Sequence, residues 1–509
     1  MMKIKNIFLV FIVSALVFTS CDDFLDVVPD SRVELKDESH LRGLLAGALP
    51  NASYYSFAHS LSDNAGDAGA SGFKIPTNEE AYKFKKFTQT GQDSPFFYWM
   101  SCYEAIAKTN LVIEFIDKFK DDKIKFKQYQ HIYGEALIAR AYNHFMLANL
   151  WCQPYNPNTA DKDLGIPYVT KPEKTVLVKY KRGTLSETYK KIEADLLEGM
   201  PLLNDEKQEF SSFHFTTKSA NAFASRFFLY KGEWDNVIAY STAFLGTNIA
   251  DKLRDWTGEY SNFTSSQLSL YYASSKEKAN LLISCGMSTF SSTYKSQRYG
   301  LTGYIRNHIY INKDLISGGQ YLYKFRGFDK PDRVFVEKYR YIFQRLGVNA
   351  QIGYYYINNV LFSAEEVLFN YIEALIMKDN DASYNKAISM FDNFFSKRVD
   401  NGIANYDPII NKVKHEKIEE LYKNSGDDIS SWYSINAKQK LYLKALLDVR
   451  RAEFMFEGQR WFDIRRFNIA VTHRDEAGNY YKLEKQDKRK VLQIPEDAIL
   501  LGLEPNPEK

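Results

Sequence analysis

A helix, a short turn and an antiparallel helix, with small residues where the two backbones meet, recur in this chain, and that unit constrains the fold more than any other feature. Ala220 to Lys231 carries Ala220 and Ala224 on one side and Phe223, Phe227 and Phe228 on the other. Gly232-Glu233-Trp234 turns it, and Asp235 to Leu245 reads as the second helix. Ala364 to Met377 repeats the arrangement with Glu365, Asn370, Glu373 and Ala374; Ala382 and Tyr384 mark its turn, and Lys386 to Arg398 is the partner helix. One such pair cannot bury its apolar face alone, so pairs stack on their neighbours. The expected fold is mainly α, with tetratricopeptide-like helical pairs forming a superhelical scaffold.

Other segments have the same helical character. Ser101 to Phe119 places Tyr103, Ile106, Ala107, Asn110, Ile113 and Ile116 at three- and four-residue steps, the period of a helix with one apolar face. Gly134 to Trp151 sets Leu137, Ala141, Phe145, Ala148 and Trp151 down one side until Pro154 and Pro157 stop it. Leu164 to Val169 reads as a short extended piece. Thr184-Leu-Ser-Glu187 has the form of a capping box and opens a helix to about Leu203.

Between the pairs, from about residue 246 to 359, the periodicity breaks up into a long irregular insertion with a few short strands. It is rich in Ser, Thr, Gly and Tyr, and its best strand candidates are Leu281 to Ser284 and Gly353 to Ile357. Long irregular segments carry function more often than they carry the fold. Aromatics matter here, because 36 Tyr, 36 Phe and 6 Trp make up 15% of the chain. Most such rings fill seams between helices, and the remainder supply exposed platforms for a ligand.

The N-terminus reads as an export signal. Lys3 and Lys5 precede an apolar run from Ile7 to Phe18, followed by Thr19-Ser20-Cys21. As a helix that run spans roughly 18 Å, short of the roughly 30 Å hydrocarbon core of a bilayer. A charged start, a short apolar middle and small residues before a cysteine mark residues 1–20 as a lipoprotein signal peptide. Cys21 then carries the lipid and anchors the single body formed by residues 21–509. Cys102, Cys152 and Cys285 remain, too few and too widely spaced for a disulfide framework or a zinc site. A formal net charge of +3 on 509 residues gives no reason to expect nucleic acid as a partner.

Catalytic and metal motifs do not stand out. The eight histidines are scattered, with no H-E-x-x-H spacing, and there is no G-x-S-x-G elbow or phosphate-binding glycine loop. Glu453 and Glu457 lie four apart with Arg450 and Arg460 in reach. On one helix face this set is a salt-bridge network that holds both carboxylates ionised, rather than an acid and base pair for glycoside cleavage. No catalytic residue, cofactor or metal site is expected. The one place for a structural calcium is the cluster Asp63, Asn64 and Asp67.

Several segments together resemble the SusD/RagB family. They include Cys21 followed by Asp-Phe-Leu-Asp and Pro29, then Leu41-Arg-Gly-Leu-Leu-Ala-Gly-Ala48 with Leu61-Ser-Asp-Asn64, Gly134-Glu-Ala with Arg140, and Leu164-Gly-Ile-Pro167. Ala364-Glu-Glu with Asn370-Tyr-Ile-Glu-Ala374 follows, and the most specific stretch runs from Arg450 to Phe467. The resemblance departs at Asn393 to Arg398 and in the central insertion, so it bears on the fold more than on the ligand. It implies a surface-exposed outer-membrane lipoprotein that captures a nutrient, an oligosaccharide or a peptide, and delivers it to a SusC-like TonB-dependent transporter. A surface-anchored polysaccharide hydrolase is the alternative. Sugars are held by rings stacked on their faces and planar groups bonded to their hydroxyls. Two regions have that chemistry: Tyr98 and Trp99 beside the Asp63-Asn64 loop, and Tyr294, Arg298, Tyr299 and Tyr304 in the insertion, where little apolar surface is expected to bury rings.

Overall fold

Helices dominate, and most of the long ones begin at a residue whose side chain accepts from a first free N–H group. A computed structural model of the chain describes residues 35–507 apart from 36, 176–177, 209, 324, 329, 401–405 and 427, so the signal segment and Cys21 lie outside the described residues. Helix α1 (Pro95–Asp117) starts where the Ser94 hydroxyl accepts from the Phe97 N–H at 3.1 Å with Pro95 in the first turn. It opens six residues before the expected Ser101, because a cap followed by an unbroken run of rings shows no helical period. Asp122 likewise caps α2 (Lys123–Trp151). The Thr184/Glu187 capping box opens α3 (Leu185–Gly199), as its sequence predicts.

The recurring pairs are α4 (Thr217–Lys231) with α5 (Trp234–Leu245), and α6 (Ala364–Met377) with α7 (Asp381–Phe395). Helix α5 also packs on α6, so the two pairs stack directly. Helix α7 starts five residues before the expected Lys386, and Ala382 and Tyr384 lie in its first turn rather than in the connection. The reason is Asn380, whose side chain accepts from the Ser383 N–H and sets the helix start. Helix α8 (Ala437–Glu453) packs on α6, and α9 (Gln459–Arg466) follows.

From Leu41 onward the chain forms one unit, and Met1–His40 is a second. The centre of the larger unit explains why two helices lack a polar stripe. Every residue of α2 from His131 to Trp151 is buried, between α1 and α3. Every residue of α6 from Ala364 to Ile376 is buried too, including Glu365, Glu366 and Glu373. A carboxylate can stay in such a core only if it is paired, and each of these is: Glu365 with Arg254 and Arg398, Glu366 with Arg226, Glu373 with Arg466.

The insertion is less separate from the core than its composition suggests. Strands β1 (Asn280–Met287), β2 (Ile342–Arg345) and β3 (Gly353–Ser363) form one antiparallel sheet in the order β1-β3-β2. Both strand candidates therefore lie within strands that run further than expected, and those longer strands pair with each other, for example Cys285 with Asn358. β3 leads straight into α6, where the Ser363 hydroxyl caps the helix by accepting from the Glu366 N–H. Among the described residues no helix is long and apolar enough to cross a membrane.

Candidate functional site

The segment 450–467 is a structural lock. Helix α8 ends at Glu453, and Phe456 and Gly458 both adopt left-handed backbone at φ 67° and 71°. Glycine suits the second position because a side chain there would press on the Tyr54 ring at 2.8 Å. Glu457 therefore lies beyond the helix rather than one turn along the same face as Glu453. The partners differ from the expected ones as well. The Arg398 guanidinium donates to Glu453 at 2.8 and 3.1 Å, and the Lys338 ammonium and Tyr272 hydroxyl each donate to Glu457 at 2.7 Å. Arg450 holds Asp463 at 3.0 Å, and Arg460 holds Asp63 with two bonds of 2.8 Å. Burial acts to raise the Glu453 carboxyl, but the Arg398 charge and hydrogen bonds outweigh it and hold the group below the usual carboxylate range. Both glutamates are buried and fully engaged, which leaves neither free to act on a sugar bond.

The loop after the helix Tyr55–Leu61 is tied down in the same way. Asp63 receives Arg460, and Arg451 donates to the Asn64 side chain at 2.7 Å and to the Asp63 carbonyl at 2.6 Å. Burial would raise the Asp63 carboxyl, yet the Arg451 and Arg460 charges push it far below its ordinary value. Asp67 accepts two 2.7 Å bonds from Arg298 and two backbone N–H groups, from Gly69 and Glu476. The positive charge that calcium would bring to Asp63 and Asp67 is already supplied by guanidinium groups. Among the described residues no cluster of three or more acidic, histidine or cysteine side chains could hold a metal ion.

The expected ring platform is mostly core. Tyr294 is 4% exposed; its ring meets Phe290, Phe335 and Phe456, and its hydroxyl reaches the Val336 carbonyl at 3.4 Å. Tyr299 is 1% exposed and stacks on Tyr82 at 4.3 Å, which stacks in turn on His473 at 4.2 Å. The Ser- and Gly-rich composition around them gave no sign of this, because the apolar surface that covers them comes from distant segments. Tyr98 and Trp99 are buried as well, Tyr98 against Tyr54 and Phe57, Trp99 against Tyr103 and Trp151. Arg298 is committed to Asp67.

Tyr304 is different. It is 84% exposed on the short helix Gly303–Arg306. Beside this region lies a loop that sequence reasoning missed. Gly66 and Asp67 pair with Gly300 and Tyr299, and Phe73 bridges to Gln297, so residues 66–73 run along 297–300. Gly72 permits this approach, since a β-carbon there would lie 2.4 Å from the Arg298 Cα. Phe73 is 71% exposed. Its signal is a lone ring closing a Gly/Ala/Ser loop, where little local apolar surface is available to cover it. Phe73 and Tyr304 thus stand exposed on two segments, 66–73 and 297–306, that one small sheet joins. Exposed rings such as these can stack on the face of a polar ring such as a sugar.

Comparison with known proteins places the chain in context. Residues 23–229 match a SusD-like family model described as starch-binding associating with outer membrane, and residues 364–498 match the SusD family model. Among solved structures, a SusD superfamily protein from Bacteroides thetaiotaomicron VPI-5482 aligns with TM-score 0.62 and 18% identity, covering 92% of this chain and 98% of its own. A putative sugar binding protein from Bacteroides vulgatus ATCC 8482 aligns with TM-score 0.62 and 19% identity over 92% and 97%. A SusD-like carbohydrate binding protein from the same organism aligns with TM-score 0.62 and 14% identity over 92% and 97%. At these identities the likeness speaks for the fold. No curated protein matches the sequence.

Proposed function

Because the chain belongs to the SusD/RagB family, we propose that it captures an oligosaccharide at the outer face of the outer membrane and passes it to a SusC-like TonB-dependent transporter. Membership carries the coarser part, a nutrient- and carbohydrate-binding protein associated with the outer membrane. The finer part has the lipid on Cys21 as anchor, the transporter as partner, and Phe73 and Tyr304 as the rings that meet the sugar. Capture and release require only moderate affinity, so that the ligand can leave for the channel.

The observation that carries this choice of rings is their exposure on paired segments whose other members, Tyr299, Arg298 and Asp67, are locked in place. A platform held by a rigid frame loses little entropy on binding. A glycan array on the purified protein identifies a ligand, and calorimetry then compares Phe73→Ala and Tyr304→Ala with the parent. Each ring contributes about 1 kcal/mol through stacking, so the double variant weakens binding by roughly tenfold or more with an unchanged melting temperature. Unaltered affinity in the double variant moves the site elsewhere, and binding of peptides in place of glycans changes the ligand class.

A further inference from the structure

We propose that the β2–β3 hairpin is a membrane-contacting finger that rests on a lipid surface with anionic head groups. This goes beyond the ligand reading and does not depend on which sugar is bound.

Residues 340–349 are exposed without interruption. β1 pairs with β3 only as far as Tyr356, and from there outward the hairpin consists of β2 and β3 alone. The burial pattern changes at the same point: β3 is buried from Ile357 toward α6, whereas every residue of β2 is exposed. A two-stranded ribbon with no layer behind it gains little in water by displaying apolar side chains. Yet Val348 is 94% exposed, Ile352 68% and Leu346 59% at its tip. These are covered by nothing within the described chain.

The order of side chains along the finger identifies the surface it suits. Leu346, Val348 and Ile352 form the apolar part of the tip, with the exposed Asn349 and Gln351 between the last two. Behind them come Tyr354, Phe343 and Tyr341, each more than one-third exposed, the last two leaning on Tyr355 at 4.9 and 5.2 Å. Arg345 and Arg340 flank this ring collar; among the described residues neither makes an ion pair, and Arg340 donates to the Ser266 hydroxyl at 3.4 Å. From residue 338 to 361 the sequence contains no Asp or Glu. Apolar tip side chains, a ring collar and two guanidiniums without acidic partners among the described residues match the apolar, interfacial and anionic layers of a lipid surface. The depth is limited, because the outer edge of β2 has unpaired backbone groups that cannot enter hydrocarbon. The finger therefore sits at the head-group boundary, about 5–10 Å deep at most.

The test uses the Cys21→Ala protein, free of acyl chains, in co-sedimentation with vesicles of phosphatidylcholine alone or mixed with phosphatidylglycerol. Binding to the mixed vesicles is expected to exceed that to the neutral ones by at least tenfold. The variant L346N/V348N/I352N should lose about tenfold on both, whereas R340Q/R345Q should lose only the anionic preference, which salt also removes. Neither variant should change the melting temperature or glycan affinity, which separates failure here from failure of the ligand reading. Equal binding by the tip variant and the parent overturns the proposal. So does absence of vesicle binding, including the case in which the tip variant instead abolishes a dimer or a complex with a transporter.

Discussion

Arg398→Met is the sharpest test of how this core is held together. The Arg398 side chain is fully buried and bonds to Glu453 at 2.8 and 3.1 Å, to Glu365 at 2.8 Å and to the Arg254 carbonyl. Methionine fills a similar volume but supplies no donor. Glu365 keeps Arg254, whereas among the described residues Glu453 keeps only the Tyr323 hydroxyl as a side-chain partner and the more distant charges of Lys338 and Arg254. Removing one partner of a buried pair costs about 3–5 kcal/mol, because the remaining charge stays desolvated. For a folded body of roughly 470 residues the entropy of unfolding is about 1 kcal/mol/K, so the melting temperature should fall by about 3–5 °C. Calorimetry and urea titration measure this directly. Adding Glu453→Gln removes the stranded charge and should recover part of the loss, which a double-mutant cycle quantifies. A loss below about 1 kcal/mol in the single variant, or no recovery in the double one, refutes the picture of a dry, paired network.

Tyr294→Ala and Tyr299→Ala should each lower stability by about 2–5 kcal/mol, as truncation of core rings does, with melting temperature as the readout; a stable variant with lost ligand binding would return these rings to the ligand site. Cys21→Ala should release the protein from membranes and abolish labelling by palmitate without altering the fold, since acyl chains supply the anchoring energy. Acid should destabilise the protein through His59 and His144, which burial holds down at about 3. Below about pH 6.5 the unfolded chain binds protons that the folded chain refuses, so stability falls as pH drops from there toward 3, by about 2 kcal/mol per histidine at pH 5. Urea midpoints across that range check it, and His59→Gln with His144→Gln should flatten the slope.

How much was legible depended on the range of the interaction. The helix Ala364–Met377 was readable to the residue, and so was the Thr184/Glu187 box, because caps and periodicity act over a few positions. The start of α7 is not legible, because Asn380 sits in the polar run Asp379-Asn380-Asp381, which suits a turn as well as a helix cap. The candidate site fared worse. Tyr294 and Tyr299 lie in a polar neighbourhood in sequence, yet Phe456 covers one and Tyr82 the other. The setting of Phe73 is not legible either, since it depends on pairing with residues more than two hundred positions away.

The sequence by itself determined the helical pairs, most of their ends, the two central strands and the family. Those properties follow from local backbone propensity, capping and the spacing of apolar residues. Only the tertiary structure decided which arginine meets which carboxylate. Arg398 reaches Glu453 across 55 positions, Arg254 reaches Glu365 across 111, and Arg460 reaches Asp63 across 397. Arg450, three positions from Glu453 on the same helix, instead meets Asp463, which follows the turn at Phe456 and Gly458. A buried charge takes whichever partner the packed helices bring within about 3 Å, and burial itself is a property of assembled layers, so neither is written in any one segment.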